Sequence, residues 1–373
     1  MAVVTSVRMP KWGLSMQEGA IVEWWKGEGA TVTEGEDLVD IETSKITNVC
    51  ESPVAGILRR IVAQPGETLP IGALIGVVAD ADASDAEVEA FIADFQANFV
   101  PPEADAESAE VLKLSTVDVA GRAIRVGRAG PESGAPVVLI HGFAGDLNNW
   151  LFNIEALSAI APVIALDLPG HGGSSKDVGD GSLKTLAEAV AGTLDALGVA
   201  EAHLVGHSLG AAVAARLAID HTGIARTLTL IAPAGLSASG VSEAFLGGVI
   251  DAQRARDLKP VMEMLLADPA MVTKDMVEDV LKFKRVDGVE DALGVLRDRM
   301  VAGADAAALR ADLAHIPEAL IIASRTDRIV GAPDESDLPA GFRVVWIDGA
   351  GHMPHLEQAS RVNQLLVDAI ESR

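Results

Sequence analysis

The chain has 373 residues, of which 49% are hydrophobic and 3% aromatic, with no tyrosine and a formal net charge of −25. This length supports two or three domains with buried cores built from Ala, Val, Leu and Ile. The acidic balance excludes a general nucleic-acid binder, which needs a basic surface to displace counterions.

The first residues, "MAVVTSVRMPKWG", lack the basic and apolar regions of a signal peptide. No run of about 18 apolar residues reads as a membrane span. The single cysteine, Cys50, excludes an internal disulfide and suits a reducing compartment, so a cytoplasmic location is expected. Residues 1–80 read as an all-β domain: "GAIVEWW", "ATVTEGEDLVDIE", "GILRRIVA" and "GALIGVVAD" are short alternating runs closed by glycine turns. "GATVTEGEDLVDIE" from Gly29 aligns with "GETLPIGALIGVVA" from Gly66 at an offset of 37 residues. Such a repeat predicts two similar sheets related by a pseudo-two-fold axis. Residues 81–112 carry nine acidic and no basic residues and are expected to form an acidic linker. Within it, "DAEVEAFIADFQANF" predicts a short amphipathic helix with Val88, Phe91, Ile92, Phe95 and Phe99 near one face.

From 113 to 373 the pattern changes. "PVVLIHG", "VIALDLPG", "AHLVGHS", "TLTLIAPAG", "ALIIASRTD" and "RVVWIDGAGH" are short apolar runs separated by helical segments. They predict a mostly parallel sheet covered on both faces. Residues 235–317 interrupt the alternation with helix-like sequence and are expected to form an inserted cap. The cap holds ten basic and fourteen acidic residues, so its "KFKR" run reads as a solvated mixed face rather than an anion site.

"GHSLG" at 206–210 sits between a strand and a small-residue helix, the setting of a nucleophile elbow at Ser208. A serine hydroxyl needs a base, and the base an orienting acid. Asp327, ending "ALIIASRTD", and His352, after "RVVWIDGAGH", follow Ser208 in the order expected for this arrangement. Asp348 reads as a turn residue, and Asp334 and Asp337 as loop residues. His355 reads as a packing residue, and His203, His221 and His315 belong to no motif. The oxyanion donors are expected to be the N–H groups of Leu209, which follows the serine, and of Phe143 in "LIHGFAGDLNNW", chosen over Ala144. His141 is expected to hold that loop, and no metal is called for.

The ordered set "HGFAGDLNNW", "DLPGHGGSS", "GHSLG", "SRTDRIV" and "GAGHMPHLE" resembles the α/β-hydrolase family over about 113–373. The set is specific for fold and much less so for substrate.

One residue remains. In "DIETSKITN" (40–48), Lys45 falls between the two halves of the repeat, where a hairpin protrudes. On composition alone it is an exposed lysine in a polar turn. Residues 9–58, however, resemble the lipoyl domains of 2-oxo-acid dehydrogenase complexes. That resemblance implies a flattened β-barrel or sandwich and lipoic acid on Lys45. Biotin carrier domains share the fold but set the lysine between methionines, whereas Ser44 and Ile46 flank it here.

A lipoyl domain joined to an α/β-hydrolase domain resembles the acetyltransferase (E2) subunits of acetoin dehydrogenase complexes, over nearly the whole chain. The resemblance implies acetyl transfer from a dihydrolipoyl-lysine thioester to coenzyme A through an acyl-serine. It also implies a thiamine-diphosphate-dependent E1 and a dihydrolipoyl dehydrogenase E3 as partners. The H-x-x-x-D-G signature of most E2 catalytic domains is absent, and no clear peripheral-subunit-binding domain is seen. A serine thioesterase fused to a lipoyl carrier, and a silent hydrolase-fold scaffold, are the alternatives. The Ser–Asp–His order disfavours the scaffold, and self-association is left open.

Overall fold

Gly35 and Gly72 adopt positive φ of 78° and 79°, each in a turn that leads into a strand, where a side chain would be strained. They are the same position of the 37-residue repeat. The computed structural model describes residues 4–10, 18–43, 47–99, 112–237 and 239–372. The chain divides into two units, Met1–Glu110 and Val111–Arg373.

The described strands of the first unit are β1 (Val4–Arg8), β2 (Glu18–Trp24), β3 (Thr31–Val32), β4 (Asp37–Glu42), β5 (Thr47–Glu51), β6 (Gly56–Ile61), β7 (Thr68–Pro70) and β8 (Leu74–Ala79). They form two sheets, ordered β1-β8-β6-β3 and β5-β4-β2-β7, with antiparallel pairing throughout. Exchanging the halves of the repeat, β1 with β5, β2 with β6, β3 with β7 and β4 with β8, converts one order into the other. Val7, Met9, Ile21, Leu38, Val39, Ile41, Leu58, Ile75 and Val78 fill the space between the sheets.

Strand β8 is buried along its whole length, because its outer face is covered too. The cover is α1 (Asp85–Asn98), started by a capping box in which Ser84 and Glu87 bond reciprocally. Val88 is fully buried with Leu74, Val77, Ala79 and Ala83, and Phe91, Ile92 and Phe95 pack around them. Arg59 pairs with Asp85 and Arg60 with Glu89, both at 2.7 Å. Residues 81–99 therefore belong to the packed body of the first unit, not to a linker that starts at 81. The linker residues 100–111 lie outside the described residues.

The second unit holds an eight-stranded sheet: β9 (Lys113–Val119), β10 (Arg122–Ala129), β11 (Val137–Ile140), β12 (Val163–Leu166), β13 (Ala202–His207), β14 (Ala225–Ile231), β15 (Ala319–Ala323) and β16 (Phe342–Trp346). Their order is β16-β15-β14-β13-β11-β12-β10-β9. The sheet is parallel from β12 to β16. β9 and β10 instead form an antiparallel hairpin, and β10 pairs antiparallel with β12. The hairpin turn is Ala120-Gly121 with φ of 52° and 84°, the two left-handed residues that match strand twist.

Helices α2 (Leu151–Ser158), α3 (Leu183–Ala196), α4 (Leu209–Asp220), α10 (Pro354–Glu357) and α11 (Ala359–Glu371) accompany the sheet. Between β14 and β15 come α5 (Glu243–Asp251), α6 (Ala255–Met262), α7 (Lys274–Lys284), α8 (Val289–Ala302) and α9 (Ala304–Asp312), the cap. Strand β11 pairs with β12 on one side and β13 on the other, so the order reverses there. In such sheets sites form at the carboxyl ends beside the reversal. Among the described residues, no helix is long and apolar enough to cross a membrane.

Candidate active site

Ser208 joins β13 to α4 with φ 53° and ψ −116°, a strained conformation for a residue with a side chain. Two glycines permit it. A methyl on Gly206 would lie 2.6 Å from the Ala211 backbone, and one on Gly210 would lie 2.6 Å from the Ile140 carbonyl carbon. Strand and helix therefore meet at backbone contact, and α4 begins against the end of β11.

His352 and Asp327 come together from the loops after β16 and β15. Nδ1 of His352 donates to Asp327 Oδ2 at 2.8 Å, with both side chains only 2% exposed. Asp327 Oδ1 accepts the N–H groups of Ile329 (2.7 Å) and Val330 (3.2 Å). Burial pushes this carboxyl up, but His352 and these two N–H groups hold it below the ordinary value of 3.8. With Nδ1 committed to Asp327, the basic nitrogen of a neutral His352 is Nε2. The tie to Ser208 runs through its neighbour. His207 Nε2 donates to the His352 carbonyl at 2.9 Å, and the two rings lie 4.8 Å apart.

The loop after β11 is held by two neutral imidazoles. The Leu168 N–H donates to His141 Nε2 (3.0 Å), so His141 Nδ1 carries the proton and donates to the Gly142 carbonyl (2.7 Å). The Ala144 N–H donates to His171 Nε2 (3.0 Å), and His171 Nδ1 donates to the Pro169 carbonyl (3.0 Å). Burial, and the neighbouring His141, push His171 down to about 3. The Ala144 N–H, the alternative weighed against that of Phe143, is thus committed to His171. Asp167, fully buried, braces the same loop by pairing with Arg125 and accepting from the N–H of Leu147 (2.8 Å) and Gly173 (2.7 Å).

Sequence reasoning passed over three groups. His207 is buried against His355 (ring centres 4.5 Å apart) as well as His352, and burial holds it well below an ordinary imidazole. Glu357 is 6% exposed, and its carboxylate accepts three backbone N–H groups: Gly351 (2.7 Å), Met353 (3.3 Å) and Ala267 of the cap (2.6 Å). Burial raises it above 4.5 despite these bonds. Arg328, next to Asp327, donates to the cap carbonyls of Glu263 (2.6 Å) and Leu266 (2.8 Å). The His352 N–H itself donates to the Leu265 carbonyl at 2.7 Å. The acid loop and the histidine loop therefore grip the same cap segment, residues 263–267. The only signals in the sequence were proximity: Arg328 adjoins Asp327, and Glu357 ends "GHMPHLE".

The competing acids stand apart. Asp348 and Asp337 are exposed, and Asp334 caps a short turn by accepting the Ser336 N–H (3.0 Å). His203 bonds Thr227, and His315 donates to the Asp312 carbonyl.

In the first unit, β4 and β5 pair antiparallel out to Glu42 opposite Thr47. Lys45 itself lies outside the described residues.

Two families match this chain: the alpha/beta hydrolase family over residues 137–365, and a family described as biotin-requiring enzyme over residues 5–78. A meta-cleavage product hydrolase from Pseudomonas fluorescens IP01 has the fold of the second unit (TM-score 0.63, 24% identity, 69% of this chain and 97% of that one). The dihydrolipoyllysine-residue acetyltransferase component of the acetoin cleaving system of Pseudomonas putida is 44% identical over 98% of both chains. Its counterpart from Cupriavidus necator is 40% identical over 97% of this chain and 96% of its own. The chain belongs to the alpha/beta hydrolase family and, within it, to the lipoyl-bearing acetyltransferase components of acetoin cleaving systems.

Proposed function

We propose that this chain transfers an acetyl group from a dihydrolipoyl-lysine thioester to coenzyme A through an acyl-serine at Ser208. The observation that carries the reading is a buried Asp327–His352 pair that His207 ties to a strained serine, in a chain whose residues 5–78 match the family of biotin and lipoyl carriers. Lys45 lies between the paired strands β4 and β5 in the sequence, and an acyl arm that visits several sites needs a rigid base of that kind. Lipoate in amide linkage to Lys45 supplies the thiol that carries the acetyl group.

His352 Nε2 takes the Ser208 hydroxyl proton as Oγ attacks the thioester carbonyl, and Asp327 holds the ring and stabilises its positive charge. The N–H groups of Phe143 and Leu209 face the oxyanion, a contribution of about 10²–10³ per donor in rate. The C–S bond breaks, and the proton on His352 passes to the departing thiolate. Coenzyme A thiol then gives its proton to His352 and attacks the acyl-serine. The new C–S bond forms, the C–Oγ bond breaks, and His352 returns the proton to Ser208. Two partner enzymes complete the cycle, a thiamine-diphosphate E1 that loads the arm and a dihydrolipoyl dehydrogenase E3 that reoxidises it.

The test is a partition assay on purified protein given S-acetyldihydrolipoamide with and without coenzyme A. Acetyl-CoA formed by wild type and by Lys45→Arg, but lost in Ser208→Ala, is the expected result. Serine-dependent acetate that coenzyme A leaves unchanged would make the chain a thioesterase and overturn the transfer reading.

A further inference from the structure

A peptide group is planar, so whatever holds its carbonyl also fixes the direction of its N–H. The Phe143 N–H shares a peptide group with the Gly142 carbonyl, which accepts from His141 Nδ1 at 2.7 Å. The next peptide group carries the Ala144 N–H, which donates to His171 Nε2 at 3.0 Å. Each of the two planes flanking Phe143 is therefore held by one imidazole. Ala144 has φ of 58°, a costly conformation for a residue with a side chain, and the bond to His171 holds it there.

His171 is fully buried, and its ring meets the cap. It forms an offset stack with Phe283 of α7, with ring centres 6.4 Å apart and planes 13° from parallel. It meets His141 and Phe143 edge-on, at 5.0 Å and 6.3 Å. Lys176 fastens the backbone that carries this ring. Its Nζ donates to the carbonyls of His171 (3.1 Å), Gly172 (2.7 Å) and Ser174 (2.7 Å). The same ammonium lies 5.7 Å from the centre of the Phe283 ring. Phe283 thus meets both the imidazole that holds Ala144 and the cation that holds the imidazole's own loop.

We infer that Phe283 of the cap is a positioning residue for the reaction at Ser208: through its stack on His171 it steadies the peptide planes that aim the Phe143 N–H at the oxyanion. The inference rests on the acyl-serine reading and on Phe143 as an oxyanion donor. An aliphatic side chain at 283 leaves that face of the imidazole without its aromatic partner. The ring can then tilt, the bond to Ala144 lengthens, and the neighbouring donor swings off target.

The test uses the full-length protein and 4-nitrophenyl acetate. The burst of 4-nitrophenolate reports acylation of Ser208, whatever then accepts the acetyl group. Phe283→Leu should slow acylation about tenfold with KM within threefold, because a displaced oxyanion donor costs less than the loss of one, about 10²–10³. Phe283→Tyr keeps the ring and should hold the rate within threefold of wild type. Ethylboronic acid adds to Ser208 as a tetrahedral anion, and its inhibition constant should rise in Phe283→Leu by the factor by which the rate falls. In a His171→Gln background, Phe283→Leu should cost less than a further threefold, since the relay is already cut.

A rate within threefold of wild type in Phe283→Leu overturns the inference. So does a rise in KM alone, which would make Phe283 a substrate contact, or a further loss of threefold or more in the His171→Gln background. If His171→Gln does not fold, the Leu and Tyr variants and the boronate decide. Wild type that acylates but releases only acetate refutes the transfer reading, and a slowed Phe283→Leu still sustains this inference. Wild type that never acylates overturns both.

Discussion

Gly210→Ala tests the link between a backbone contact and the chemistry at Ser208. The added methyl would lie 2.6 Å from the Ile140 carbonyl carbon and against the carbonyl oxygens of Ile140 and His141. Carbon atoms in contact sit about 3.5–4.0 Å apart, so α4 and the end of β11 must separate by about 1 Å. Overpacking of this kind costs about 1–3 kcal/mol. At the middle of that range, Tm falls by about 4–8 °C for a unit of this size. The same displacement moves the Leu209 N–H away from the Phe143 N–H, and a misplacement of about 1 Å can cost 10²-fold in rate. The assay is thermal unfolding together with acetyl transfer from S-acetyldihydrolipoamide. Gly294→Ala is the control. Gly294 lies inside α8, where an added methyl meets nothing within 4 Å, so that variant gains about 0.5–1 kcal/mol. A Gly210→Ala protein with wild-type Tm and kcat would refute the argument that this contact sets the oxyanion geometry.

Other outcomes follow from the buried groups. Asp327→Asn presents an N–H to His352 Nδ1 and so forces the proton onto Nε2; kcat should fall about 10⁴-fold with the fold retained. Because Asp327 is held below 3.8, its stabilising contribution is complete at neutral pH and lost as the pH falls through that lowered value. The stability gap between wild type and Asp327→Asn, measured by denaturant titration, should close below about pH 4. Glu357 has the opposite sign: it is raised above 4.5, so its ionisation weakens the fold as the pH rises through the raised value. Glu357→Gln escapes that penalty but turns an amide NH₂ toward at least one backbone N–H, a loss of about 1–3 kcal/mol. Its deficit should be largest near pH 4.5 and shrink toward neutrality. Cys50 is buried and pushed up to about 12 by burial and by Glu51, so thiol reagents should label it only on unfolding.

The features legible in the sequence were local ones. Glycine turns at a fixed offset gave away the two matched sheets, since each half must present the same turn before the same strand. Ser208, Asp327 and His352 lie at strand ends marked by their own motifs. Less was legible where partners are distant. The run "LIGVVA" is apolar at every position because a helix covers its outer face, and that covering depends on residues beyond the strand. Glu357 and Arg328 act on backbone groups of the cap some 60 to 90 residues away, and a backbone N–H or carbonyl leaves no mark in the sequence. The β9–β10 hairpin was missed for another reason. Its strand β9 is exposed or half-buried throughout, so it lacks the apolar run that announces the interior strands.

The grip on residues 263–267 limits how reactants can come and go. A doorway hinged on the opposite rim would swing this edge outward, and every turnover would then break the bonds that Arg328, Glu357 and the His352 N–H make to it. Opening elsewhere along the cap leaves these bonds intact, with this seam as a fixed post against which the rest of the cap can flex.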